Sequence, residues 1–266
     1  MRRGWCVTVG ALALLGGSVL AASTAAGASA ATGHSAAASH RARPFVVRTG
    51  GLVRHLVGPA RLRHATSANW SGYALHGGKY RSVSANWTEP RAHCKAGGGH
   101  DYSSFWVGLD GYGTTTVEQT GTDTDCQGAT PRYYGWYEMY PAASRRLSHP
   151  VRPGDKLSAS VVFNGGGKFT LKLTDHSRHW TAIEHRSLGK ATRASAEIII
   201  EAPSTLSGEL PLADFGTAHF TGARVDGSKI GSHHPTKITM VVRGRRLDRI
   251  SALSKGANFS GTWLRR

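Results

Sequence analysis

Residues 103–140 read SSFWVGLDGYGTTTVEQTGTDTDCQGATPRYYGWYEMY. Three strand-like runs are separated here by turns rich in Gly, Thr and Asp. Alternate side chains of a strand point to opposite faces. In the first run Phe105, Val107 and Leu109 therefore share one face, and Ser104, Trp106, Gly108 and Asp110 the other. In the third run Tyr134, Trp136, Glu138 and Tyr140 fall together. In the middle run Glu118 and Gln119 point opposite ways. Three neighbouring strands can thus present Trp, Asp, Gln, Tyr and Glu on one face. Such a face is too polar for a core and too aromatic for an ordinary solvated surface. It reads as the floor of a cleft for an extended ligand.

The same punctuation continues outward. The runs NWSGYAL, YRSVSANWTEP, KLSASVVFN, KFTLKLTD, HWTAIEHRS, SAEIIIEAP, FGTAHFTGARV and KITMVVR all read as strands. Helical periodicity is hard to find after Gly50. Many short strands about ten residues apart argue an all-β sandwich or barrel. The 34 glycines suit its tight turns. Gly165-Gly166-Gly167 reads as a hairpin turn. In SAEIIIEAP, Glu197, Ile199 and Glu201 share a face, Ile198 and Ile200 face the core, and Pro203 ends the strand.

The front of the chain is of another kind. Met1-Arg2-Arg3, the apolar Val7–Leu20 and Ala28-Ser29-Ala30 have the layout of a secretory signal, so residues 1–30 are expected to be removed and the product secreted. Residues 31–66 are expected to be a basic, largely disordered pro-region that docks on an acidic cleft, and residues 67–266 a single domain. The formal charge of +17 is shared unevenly. Of 33 basic residues, eight Arg lie in residues 1–66 without a single acid; the other 25 face 16 acids, a net +9. No later apolar run is long enough for a membrane anchor. Loss of Cys6 with the signal leaves Cys94 and Cys126, an even pair in an exported chain, which predicts a disulfide.

Most other chemistries find no support. There is no G-x-S-x-G elbow and no phosphate-cradling loop. His176-Ser177-Arg178-His179 lacks further ligands at zinc spacing, so no metal or cofactor is expected. The basic run Arg243–Arg249 reads as a charged strand edge, and no nucleic-acid partner is expected of an exported chain. The sequons at Asn69, Asn86 and Asn258 fall in strand-like runs.

The order NWSGY, VSANWTEP, FWVGLDG, VEQTGTD, WYEMYP, AEIIIEAPS, LADFGTAHF resembles the glutamic peptidases, the eqolisin family, over about residues 67–264. The resemblance implies a monomeric, secreted endopeptidase active on protein or peptide substrates in acid. It implies a sandwich of two antiparallel sheets of the concanavalin or lectin-like kind. The family's catalytic Gln falls on Gln119 of Gln119-Thr120-Gly121, and its catalytic Glu, the second acid of its strand, on Glu201; Glu197 is the fallback. Trp70, Trp106, Asp110, Asp123 and Glu138 match cleft positions that bind substrate or support the pair. Trp136, on the same face by alternation, joins them. The family's aromatic residue after the first Glu is Ile198 here, a core position by alternation. In the implied reaction Glu201 takes a proton from water and later gives it to the leaving amine, while the Gln119 amide holds the oxyanion. A carbohydrate-binding or glycoside-hydrolysing sandwich is the competing class, since aromatic clefts with paired carboxylates also serve sugars. Glu118 is a poor member of such a pair because it faces away from Gln119. A binding module without activity is the third class.

Overall fold

A computed structural model describes Val53–Leu56 and residues 64–205 and 208–266. The expected signal segment and most of the expected pro-region lie outside these residues. Fifteen strands matter below: β1 Val53–Leu56, β2 His64–Ser67, β3 Trp70–His76, β4 Ser82–Thr88, β5 Ser104–Leu109, β6 Val117–Gln127, β7 Thr130–Tyr140, β8 Lys156–Gly165, β9 Lys168–Asp175, β10 Trp180–Ser187, β11 Ser195–Glu201, β12 Thr217–Val225, β13 Thr236–Val242, β14 Asp248–Ile250 and β15 Phe259–Trp263. Every run expected to be a strand is one.

Two sheets stack face to face. The first runs β1-β2-β13-β3-β11-β5-β6-β7 and then the short Arg145–Arg146; the second runs β10-β9-β8-β4-β12-β15-β14. Their strand pairs are antiparallel except β2 with β13, which is parallel. The sandwich of two antiparallel sheets is therefore the fold, with one parallel pairing near an edge. Strand β1 and the first three residues of β2 fall inside the range 31–66, so part of that stretch pairs with the sheet.

The core lies between the sheets and is built by alternation. Phe105, Val107 and Leu109 of β5 and Ile198 and Ile200 of β11 meet Val83, Ala85 and Trp87 of β4, Leu157 and Val161 of β8, and Leu171 and Leu173 of β9. Burying each large apolar side chain contributes about 1.5–3 kcal/mol. The opposite face of the first sheet carries a second cluster, Trp70, Trp106, Tyr112, Val117, Trp136, Ile199 and Ile238. One sheet thus has two working faces, and the strand period of two keeps them apart.

Turns and ties follow the sequence. Gly165 pairs with Lys168, so Gly166 and Gly167 form a two-residue loop. Both have positive φ, 58° and 71°, which is what the hairpin turn matching strand twist requires. The basic run folds back as Arg245–Arg246 beside Val241 and Val242, a charged edge as expected. Cys94 and Cys126 are bonded, which ties the loop after β4 to the end of β6.

Candidate active site

Strand register places the candidate residues in rows across β3, β11, β5, β6 and β7. One row holds Trp70, Glu201, Ser104, Asp123 and Tyr134. The next holds Gly72, Ile199, Trp106, Gly121 and Trp136, and the third Ala74, Glu197, Gly108, Gln119 and Glu138. Of the eight residues singled out, seven lie in these three rows: Gln119, Glu201, Trp70, Trp106, Asp123, Trp136 and Glu138.

The middle row explains how the indoles fit. Gly121 stands between Trp106 and Trp136. A Cβ there would lie 2.1 Å from the Phe105 carbonyl oxygen and 2.6 Å from the Trp106 Cβ, so only glycine permits this approach. Trp70 meets Trp106 edge to face, with ring centroids 4.9 Å apart at 74°, an arrangement favoured by the ring quadrupoles.

Three polar contacts orient the catalytic candidates; the first two hold Glu201. The Trp106 indole Nε1 donates to Glu201 Oε2 at 2.8 Å, and Asn69 Nδ2 donates to Glu201 Oε1 at 3.4 Å. Both are N–H donors, which suit an ionised carboxylate and fix its plane. Gln119 Nε2 donates to Glu138 Oε2 at 2.6 Å. That bond sets which end of the amide points where and leaves the second N–H of the same nitrogen for another acceptor. Gln119 and Glu201 flank β5 on either side and are offset by four residues along it.

Glu197 is nearer to Gln119 by row, with only Gly108 between. Its chemistry differs. Glu197 Oε1 accepts the Tyr112 backbone N–H at 3.3 Å. Burial pushes its pKa well above the ordinary carboxylate range, helped by Asp110 and Glu118 nearby. Burial therefore favours its protonated form, and its hydrogen-bond partner differs from those of Glu201.

Asp110, the eighth candidate, stands apart. Its oxygens accept from Thr116 Oγ1 at 3.1 Å, from Thr192 N and Oγ1 at 2.7 and 2.6 Å, from Arg193 N at 2.7 Å and from Ala194 N at 2.8 Å. It clamps the loop that leads into β11, and so positions the strand carrying Glu201.

Sequence reasoning passed over two groups. Asn69 belongs to the NWSGY run and to a sequon but was given no role in the site, although it adjoins Trp70; that adjacency was the available signal. Glu89 lies behind β6 in the core. It accepts from Thr122 Oγ1 at 2.5 Å and Thr124 Oγ1 at 2.6 Å, and from Trp87 Nε1 at 3.3 Å. Burial raises its pKa to about 8 against those hydrogen bonds, with Asp123 adding to the rise. Glu118 faces away from Gln119, as alternation requires. Burial first and then Asp110 raise it to about 9.

Both the sequence and the fold have known relatives. The model of the Peptidase A4 family matches residues 68–257. Aspergillopepsin-2 of Aspergillus niger is 28% identical over 194 residues, spanning 64% of this chain and 69% of that protein. The crystal structure of scytalido-glutamic peptidase with a transition state analog inhibitor superposes with a TM-score of 0.65 at 25% identity, covering 74% of this chain and 98% of that one. The fold is shared as well by SCP-B, a member of the eqolisin family solved with the tripeptide Ala-Ile-His, with a TM-score of 0.61 at 24% identity over 74% of this chain and 98% of that one. The chain belongs to the peptidase A4 family, and is an endopeptidase of the glutamic type.

Proposed function

We propose that this chain is a secreted endopeptidase active in acid, with Gln119 and Glu201 as its catalytic pair. The observation that carries the reading is the oriented pair on one sheet face: Glu201 held by the Trp106 indole at 2.8 Å and Gln119 by Glu138 at 2.6 Å. Glu201 as carboxylate removes a proton from a water whose oxygen bonds to the peptide carbonyl carbon. The carbonyl oxygen becomes an oxyanion and accepts the remaining Gln119 N–H, a donor worth roughly 3 kcal/mol in comparable sites. The C–N bond then breaks as protonated Glu201 gives its proton to the leaving nitrogen. The products are a carboxylic acid and an amine, and Glu201 is again a carboxylate.

Trp70, Trp136 and Asp123 line the floor along which an extended peptide lies, and Asp110 supports the strand beneath it. The basic stretch before β2 and the signal-like front support secretion with a later loss of residues up to the 60s. The carbohydrate reading keeps nothing in its favour beyond the aromatic face. The test is digestion of denatured casein across pH 2 to 7 in the presence of pepstatin and a chelator. Digestion that survives both inhibitors and peaks in acid is the expected result; no digestion at any pH would remove the proposal.

A further inference from the structure

The far end of the cleft face carries a cation. Arg146 pairs with Trp136 across the short Arg145–Arg146 strand, so it lies on the same face as Trp136, Gln119 and Glu138. Its guanidinium sits over the Tyr134 ring, 4.5 Å from the centroid. Tyr134 is itself a floor residue, and its hydroxyl donates to Asp125 Oδ2 at 2.9 Å. Arg146 is exposed, and no ion pair among the described residues includes it. It also borders an open groove of about 520 Å³ with Tyr137, His149 and Ile183.

We propose that Arg146, steadied by Tyr134, selects substrates that carry a carboxylate side chain three or four residues from the scissile bond. This rests on the catalytic pair proposed above. Arg146 is two strand spacings from β6 and about two residues along from Gln119, so about 12 Å away in the sheet lattice; an extended peptide rises about 3.3 Å per residue. A guanidinium stacked on an aromatic ring keeps its in-plane donors aimed outward, and those donors match a carboxylate two at a time. The other charged groups around it leave this role open. From β6, Asp123 and Asp125 face the Tyr134 side; from β7, Arg132 and Glu138 share its face; Arg145 is its neighbour, and Glu184 across the groove pairs with Arg186 at 2.5 Å. The acids stand toward the floor and the cations toward the rim, so a substrate carboxylate is drawn to the rim.

The experiment uses one parent peptide with Glu, Gln or Lys placed in turn at each of four positions on either side of the cleaved bond. Cleavage by the mature enzyme is measured at pH 3 and 5.5, and binding of the same peptides to Glu201→Gln is measured by calorimetry. At one position Glu is expected to exceed Gln by about fivefold at pH 5.5. The margin should shrink toward none at pH 3, where the substrate's Glu is protonated. Arg146→Gln should erase the margin and Arg146→Glu should turn it in favour of Lys. A margin that persists in Arg146→Gln, or no margin at any position in the native enzyme, overturns the proposal. If no peptide is cleaved the catalytic reading fails, and the binding measurements still decide the role of Arg146.

Discussion

Replacing Glu89 by Gln should make the protein markedly less sensitive to alkali. In the folded chain Glu89 is buried behind β6, in contact with Thr122, Thr124 and Trp87, and its pKa is raised to about 8 from an ordinary 4.5. The unfolded chain releases that proton near 4.5. Between the two values folding takes up a proton, so stability is full below pH 4.5 and is lost as pH rises toward 8. At about 1.4 kcal/mol for each tenfold change in proton activity, the loss due to Glu89 approaches about 5 kcal/mol. Gln has the shape of the protonated acid and keeps a donor and an acceptor, so at pH 4.5 the variant should fall within about 1 kcal/mol of the native protein. At pH 8 it should be the more stable of the two by several kcal/mol, about 10–20 °C in Tm for a domain of this size. Scanning calorimetry of both proteins at pH 4.5, 6 and 8 measures this directly. Equal slopes of Tm against pH would show that Glu89 does not hold its proton. A variant weakened alike at every pH would show that its role is packing alone.

Gln119→Glu and Glu201→Gln should each lower kcat/KM by a hundredfold or more with little change in Tm, whereas Glu197→Gln should keep most activity because Glu197 lies outside the proposed pair; an inactive Glu197→Gln beside an active Glu201→Gln would exchange their roles. Reducing the Cys94–Cys126 bond closes off a constraint on a loop of 32 residues and should lower stability by roughly 3–4 kcal/mol, read by urea unfolding with and without reductant. N-terminal sequencing of the active product should find its first residue between Ala60 and Ser67; full activity with residues 34–63 still attached would contradict an inhibitory pro-region.

The fold was legible where alternation is uninterrupted. Phe105, Val107 and Leu109 went to the core and Trp106 to the other side because a period of two leaves no choice once one face is buried. Strand β14 was not legible, because Asp248–Ile250 is too short to show a period. Of β15 only the start was legible, from Phe259 beside the Asn258 sequon, since Ser260 and Gly261 break the alternation that follows. Strands β1 and β2 were hidden by the basic residues around them; β2 is recruited by β13, far away in sequence. The floor residues were legible in type and face, but the division of labour between Glu197 and Glu201 was not. Spacing puts both on one face, and only tertiary partners tell them apart: the Trp106 indole donates to Glu201 and the Tyr112 amide to Glu197. Glu89 was invisible for a similar reason. Thr-Glu-Pro looks like a solvated turn until Thr122 and Thr124 arrive from 33 and 35 residues away.

The order of strands in the first sheet has a kinetic consequence. Strand β11 lies between β3 and β5, and the contacts that orient Glu201 come from Trp106, 95 residues earlier, and Asn69, 132 residues earlier. Ser71 reaches further still, donating to Asp248. Such a topology has high contact order and folds slowly, because distant segments must meet before any of them is rewarded. A partial chain that ends before β11 contains Gln119, Glu138 and the indoles but no Glu201, and β3 has no neighbour on that side to hold Trp70 in place. With Gln119 and Glu201 as the proposed pair, hydrolytic competence arrives only with nearly the whole sheet, so a nascent or half-folded copy cannot digest itself or its neighbours on the way to the native state.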